Sequence, residues 1–357
     1  MKVIFEGIEA SAPGKLLLVG EYAVLEGAPA IVLAIDRRAR ARIATCEGAE
    51  CLVSAPDLGI SNVRLRIGAH GVPEWLSADG QARLKLVDCA LRELASRQLG
   101  PEPGRGFELH LDTSDFFDEV THTKLGLGSS AALCVAVTSA LAGLRNNESK
   151  FGLRLPLQVH REFQSGQGSG ADVAASFAGG VIVYRLRGTE PQLDTARWPS
   201  GVHARYVWSG RSASTGDFLA RLARWRSDHA VQYAFHMRGL SDIAGSAAEA
   251  VMHDGAADFI EAASAYARAL QSFGAESGLE IYSPEHLALA ELAHTAGVHY
   301  KSCGAGGGDF GVLLALDADK LAAAERAVAQ AGFRCMPLAM DEQGLHVEHK
   351  VSETECI

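Results

Sequence analysis

Lys124-Leu125-Gly126-Leu127-Gly128-Ser129-Ser130-Ala131-Ala132 opens the most informative stretch of the chain, and from Leu125 to Leu144 no residue is charged. A run of about twenty uncharged residues has the length of a membrane-spanning helix. Gly126, Gly128, Ser129, Ser130, Thr138 and Ser139 make this one too polar and too glycine-rich at its start. The pattern predicts a glycine–serine loop running into a buried helix over 129–144. Glycines let backbone N–H groups approach an anion, and the dipole of the following helix adds to the attraction. A hydroxyl of Ser129 or Ser130 is suited to Mg²⁺. The plainer alternative is two glycines and two serines that only cap a buried helix.

Gly126-x-Gly128-x-x-Ala131 formally matches the dinucleotide-binding fingerprint, with Glu148 about twenty residues on. That motif needs a buried strand directly before it, and FFDEVTHTK is not one. The GxxxxGK[ST] phosphate loop is absent as well. Gly306-x-Gly308-x-x-Gly311 also matches, but the pattern after it is a strand, not a helix.

Three further clusters share the glycine excess, 38 residues in 357, or about 11% against a usual level of about 7%. Ser11-Ala12-Pro13-Gly14-Lys15 leads into Leu16–Val19, so Lys15 stands at the mouth of an apolar strand as a point charge for phosphate. A solvated lysine at a strand end is the plain alternative. Gly166-Gln167-Gly168-Ser169-Gly170-Ala171-Asp172 places a carboxylate in the first turn of a helix, stabilised there as an anion. Lys301-Ser302-Cys303-Gly304-Ala305-Gly306-Gly307-Gly308-Asp309-Phe310-Gly311 is costly in chain entropy. It implies close backbone approach to a ligand or to another segment. Cys303 has no evident histidine partner and reads as a packed residue rather than a nucleophile.

A length of 357 residues suggests two domains. The net charge of −10 argues against a nucleic-acid partner. Seven cysteines without a CxxC pair point to a reducing, cytoplasmic setting. Strands are expected at 3–8, 16–19, 30–35, 106–111 and 181–184, and helices near 80–98, 129–144 and 170–178. Residues 187–201 carry turn formers without a period and are expected to join the domains. Beyond them come helices over 215–296, strands near 311–316 and 345–351, and a helix at 318–331. The class is α+β.

In this order the segments resemble the GHMP kinases, small-molecule kinases that include galactokinase, homoserine kinase, mevalonate kinase and phosphomevalonate kinase. SAPGKLLLVGEYAVLEG (11–27) is similar to the family's first motif, GLGSSAA (126–132) to its second and SCGAGGGDFG (302–311) to its third. The resemblance implies the GHMP kinase fold: an N-terminal domain with a left-handed βαβ crossover and a C-terminal ferredoxin-like domain, here 1–190 for ATP binding and 200–357. Lys124 before the second motif, GSGADVAAS (168–176), Asp309 in the third motif and VWSGRSAST (207–215) resemble the phosphomevalonate branch. Phe310 departs from a common cysteine. Glu162 lies ten residues before Asp172, one short of the spacing of the metal-binding glutamate in mevalonate kinases.

The resemblance further implies roles. Gly126, Leu127, Gly128, Ser129, Ser130 and Ala131 would hold the ATP phosphates, and Ser130, with Glu162, would hold Mg²⁺. Lys15 and Asp172 would be catalytic. Lys15, Tyr22, Lys124, Ser169, Asp172, Gly304, Ala305 and Gly306 would bind a small acidic acceptor. A phosphate-ester acceptor, with a second pKa of about 6, is largely dianionic near neutral pH. Its phosphorylation needs lysines against charge repulsion more than it needs a base. The expected reaction is therefore ATP-dependent phosphorylation of phosphomevalonate. The alternatives are a hydroxyl acceptor, chiefly mevalonate, or the related diphosphomevalonate decarboxylase. A silent nucleotide-binding sensor is a further alternative, against which Lys15, Ser130 and Asp172 speak. No nucleic-acid or membrane partner is expected, and a homodimer is allowed for.

Overall fold

The computed structural model describes residues 3–148, 150–213 and 215–354. Ser214, within the VWSGRSAST stretch, lies outside them. The chain begins with two long strands, β1 (Val3–Val19) and β2 (Ala30–Cys46), followed by β3 (Glu50–Ala55), β4 (Ile60–Ile67) and β5 (Pro73–Trp75). Next come α1 (Gly80–Arg83), α2 (Lys85–Ser96), β6 (Gly106–Asp112), α3 (Ser129–Gly143), α4 (Arg154–Phe163) and α5 (Ala171–Ala178). After β7 (Val181–Arg187), β8 (Glu190–Ala196) and β9 (His203–Trp208) the chain turns helical. It forms α6 (Thr215–Asp228), α7 (Ala230–Met252), α8 (Ala256–Ser277) and α9 (Pro284–Thr295). It closes with β10 (His299–Ser302), β11 (Phe310–Ala315), α10 (Ala318–Gln330), β12 (Arg334–Met336) and β13 (His346–Thr354).

Two sheets organise these elements. Nine strands run in the order β13-β1-β2-β6-β3-β4-β5, with β7 branching from β2 and β8 from β7, and four more run β10-β11-β9-β12. The last strand thus returns to pair with β1, Ser11 opposite His346. Helices α3 and α5 pack on β1 and β2, α8, α9 and α10 pack on the smaller sheet, and α7 lies against α8 and reaches β2. One apolar core runs from Leu16 and Ile31 in the large sheet to Val207 and Phe310 in the small one. Along α3 every residue from Ala131 to Gly143 is buried, which explains its uncharged sequence. Among the described residues no helix is long and apolar enough to cross a membrane.

The strands expected at 3–8 and 16–19 are one. The small residues between them, such as Ala10 and Ala12, are wholly buried, and the ladder to β2 shifts register between Pro13 and Gly14. A bulge is where a strand admits proline. The expected helix at 80–98 breaks at Leu84 into α1 and α2. Residues 187–201 are not wholly irregular, because they contain β8. That strand pairs only with β7, and its residues are exposed or half-buried. A solvated edge strand carries no apolar alternation to read.

Candidate active site

The approach of β1 to the loop before α3 builds the site. Lys15 N–H donates to Leu127 O at 2.9 Å. A side chain at Gly14 would put its Cβ 2.7 Å from that same oxygen and 2.8 Å from Phe116, so only glycine permits the crossing. The stem of Lys15 then runs along Gly128, whose Cβ position is 3.1 Å from Lys15 Cγ and Cε. Leu127 and Ser129 are buried, so Leu127 serves the loop through its backbone. Ala131 and Ala132 N–H groups both donate to Gly128 O at 3.1 Å. The N–H groups of Ser129 and Ser130 have no acceptor among the described residues. They are the orphan donors of a helix N-terminus.

Ser130 Oγ lies 3.2 Å from His160 Nε2, and His160 is 2% exposed. Glu162 does not join them. Two residues along α4 rotate a side chain by about 200°, and Glu162 is exposed, with its charge acting on Cys89 and Arg92 of α2. The structure thus brings His160 to Ser130 and separates Glu162 from it.

Beside the loop lies a cavity of about 350 Å³ whose walls include Lys15, Tyr22, Ser169, Asp172, Gly304 and Ala305. These come from three separate segments of the chain. Asp172 sits in the first turn of α5, and its Oδ1 accepts the Val173 N–H at 2.9 Å. Ser169 is held by its carbonyl, which accepts from Tyr184 OH at 2.8 Å. Tyr22 OH donates to Ala305 O, so Tyr22 ties the first glycine segment to the last, and burial pushes its phenol well above the ordinary value. Gly306 and Lys124 do not line this cavity. Gly306 packs on the backbone of Ile281. Lys124 is exposed at the start of the loop, and its charge reaches Asp309.

Several residues here had no role assigned from sequence. Glu21 accepts hydrogen bonds from Lys301 Nζ and, at 3.2 Å, from Gly304 N–H, and both charged side chains are 1% exposed. His286 links Tyr300 OH at 2.6 Å to Gly308 O at 2.8 Å, and burial lowers its basicity. Asp309 packs against Gly126, and burial raises its carboxyl to about 6 although Lys15 and Lys124 oppose the shift. Glu21, Lys301 and Asp309 all lie inside the quoted glycine segments; His160 and His286 carry no local signal. Cys303 is buried, which pushes its thiol up to about 12. That value suits a packed residue.

A loop of orphan N–H groups with two lysines near it, beside a cavity that Lys15 and Asp172 help to line, is chemically suited to phosphate. Residues 85–180 match the model of the GHMP kinase N-terminal domain. Over 344 residues the chain is 33% identical to the phosphomevalonate kinase of Streptomyces sp. strain CL190, covering 86% of this chain and 89% of that one. The chain is a GHMP kinase. Its chemistry is therefore phosphoryl transfer to a small molecule. Another member, the mevalonate kinase of Thermococcus gammatolerans, is 28% identical over 356 residues, 96% of this chain and 98% of that protein. The fold agrees. A Streptococcus pneumoniae phosphomevalonate kinase, solved with phosphomevalonate and AMPPNP, superposes with a TM-score of 0.74 at 20% identity, over 93% of this chain and 99% of the other.

Proposed function

We propose that this GHMP kinase transfers the γ-phosphoryl group of ATP to the phosphate of phosphomevalonate, giving diphosphomevalonate. The observation that carries the reading is a lysine on either side of the glycine loop, Lys15 on β1 with its stem along Gly128 and Lys124 exposed where the loop before α3 begins. Two polyanions must meet for this reaction, and their repulsion is its main obstacle. Likeness to the Streptomyces phosphomevalonate kinase supports the same acceptor.

In this reading the Ser129 and Ser130 N–H groups hold the nucleotide phosphates at the positive end of α3. Gly126 and Gly128 allow the phosphates close approach. Mg²⁺ takes few protein groups beside phosphate oxygens; the Ser130 hydroxyl fits it, oriented by His160, and Glu162 does not. The ion would neutralise charge on the transferring group. Lys15 stabilises that group, Asp172 orients Lys15 across the cavity, and Tyr22, Ser169, Gly304 and Ala305 shape the acceptor end. ADP release measured across mevalonate, phosphomevalonate, homoserine and galactose tests the assignment. Phosphomevalonate should give the highest kcat/KM, and a preference for an unphosphorylated acceptor would refute it.

Mevalonate is the second reading. The likeness to the Thermococcus mevalonate kinase spans nearly the whole chain, and Asp172 faces the same cavity as Lys15, where a general base for a hydroxyl would stand.

A further inference from the structure

The Asp309 carboxyl stands where four segments meet. It packs on Gly126, where even a methyl group would come within 2.3 Å of both its oxygens. Its N–H donates to Arg211 O at 2.7 Å, its carbonyl accepts from Ser209 N–H at 2.9 Å, and its Oδ1 accepts from Ala213 N–H at 3.1 Å. With φ at 58° the residue occupies the left-handed region, rarely adopted by side chains other than Asn and Asp. Lys15 and Lys124 act on it through space rather than through a hydrogen bond. Both carboxyl oxygens border the glycine loop at Gly126, and the residue is half-buried.

An ionised carboxylate is badly placed there. It would repel the phosphates that the glycine loop and the lysines attract. A protonated one would instead offer a donor to a phosphoryl oxygen at the same spot. We propose that Asp309 takes up one proton from solvent as a phosphate substrate enters the cleft, and as a carboxylic acid donates that hydrogen to a phosphoryl oxygen. The inference rests on reading the cleft as a phosphate-substrate site. Only a proton moves: it passes from buffer to Oδ2 on binding and returns on product release, and no covalent bond to a heavy atom changes.

The surroundings support the direction. Desolvation already brings the carboxyl to about 6, and a phosphate that engages Lys15 and Lys124 would remove their opposition and add its own negative charge. The other titratable groups nearby are engaged elsewhere. The Arg211 guanidinium pairs with Glu280 at 3.1 Å. On α9, His286 spends both ring nitrogens on Tyr300 and Gly308. On the β10 side, Cys303 keeps its proton.

Titration calorimetry of the full chain decides the matter, with Mg·AMPPNP and separately with phosphomevalonate, near pH 7.5 in buffers of different ionisation enthalpy. Wild type should take up roughly 0.5–1 more proton per bound ligand than Asp309→Asn, for at least one of the two ligands. The asparagine keeps the acceptor for Ala213 and supplies a permanent donor, so it should bind with at least wild-type affinity. Wild-type affinity, relative to the variant, should fall by up to about tenfold per pH unit above 7. The ligand's own titration is common to both proteins and cancels. Equal proton counts in the two proteins would overturn the proposal. So would loss of binding in Asp309→Asn as severe as in Asp309→Ala, which would make the carboxylate a fixed counter-ion. If wild type binds neither ligand, the phosphate-site reading itself fails.

Discussion

Two acidic residues connect the first glycine segment to the last, and they do so in opposite ways. Glu21 meets Lys301 directly at the wall of the cavity, and the ammonium also donates to Ser302 O at 2.7 Å. The two charges pair directly and both are out of water, while Glu21 Oε2 has no hydrogen-bond partner among the described residues. Asp309 faces Lys15 and Lys124 without a direct bond, half-buried and raised to about 6. The first pairs its charges within the protein. The second leaves its lysines and carboxyl unbonded to one another, and in the proposed reading a phosphate lies beside them. A lock and a binding site can therefore be built from the same residue types, and the separation of the charges distinguishes them.

Breaking the closed pair should have the largest effect. Lys301→Met leaves a buried, unpaired Glu21 and should cost about 3–5 kcal/mol in urea unfolding. The Glu21→Gln/Lys301→Met double variant should recover much of that loss, because no uncompensated charge remains. If the single variant were as stable as wild type, the contrast between the two regions would collapse.

In the open region the expected effects are smaller and fall on substrates. Lys124→Met should raise the acceptor KM by about 10–100-fold, the scale of one charge-assisted contact, with little change in ATP KM. Equal damage to both substrates would assign Lys124 to the nucleotide. Asp172→Asn sharpens the choice of acceptor. With a phosphate acceptor kcat should fall less than about tenfold, whereas a general base for a hydroxyl contributes about 10²–10⁴-fold.

Asp309→Asn should stabilise the empty protein. The folded carboxyl holds its proton up to about 6, against an ordinary value of about 3.9. Folded wild type thus binds more protons than the unfolded chain, and its stability falls as pH rises from about 4 to 6, with the full loss persisting above. The variant lacks this loss and should be more stable by about 1–2 kcal/mol at pH 8, allowing for partial exposure. Thermal scans at pH 4 and pH 8 should show the advantage only at the higher pH. Ser130→Ala should change least, under about 1 kcal/mol in stability, while requiring more Mg²⁺ for half-maximal rate. Unchanged kinetics at limiting Mg²⁺ would remove its metal role.

Much of the site could be read locally. Gly14, Gly126 and Gly128 each sit where another segment passes within contact distance, and clustered glycines announce that need. Helices α3 and α5 begin directly after glycines, at Ser129 and Ala171, as the pattern predicts. The three-residue β5 and the solvated edge strand β8 leave little period to read. Strand β4 does alternate, with Val63, Leu65 and Ile67 buried between exposed arginines, and went unread although the sequence carries that signal. Helix α4 went unread too, and with it the histidine that faces Ser130.

By itself the sequence determined the loops, the lysines and the acids available, since backbone conformation and charge are properties of neighbours along the chain. Only the tertiary structure decided who faces whom. It turned Glu162 toward α2 and His160 toward Ser130 by the phase of one helix. It set Asp309 against Gly126, and Lys301 against Glu21 across 280 residues. Such pairings are fixed by how sheets and helices pack, and packing between distant segments leaves no spacing in the sequence from which to read them.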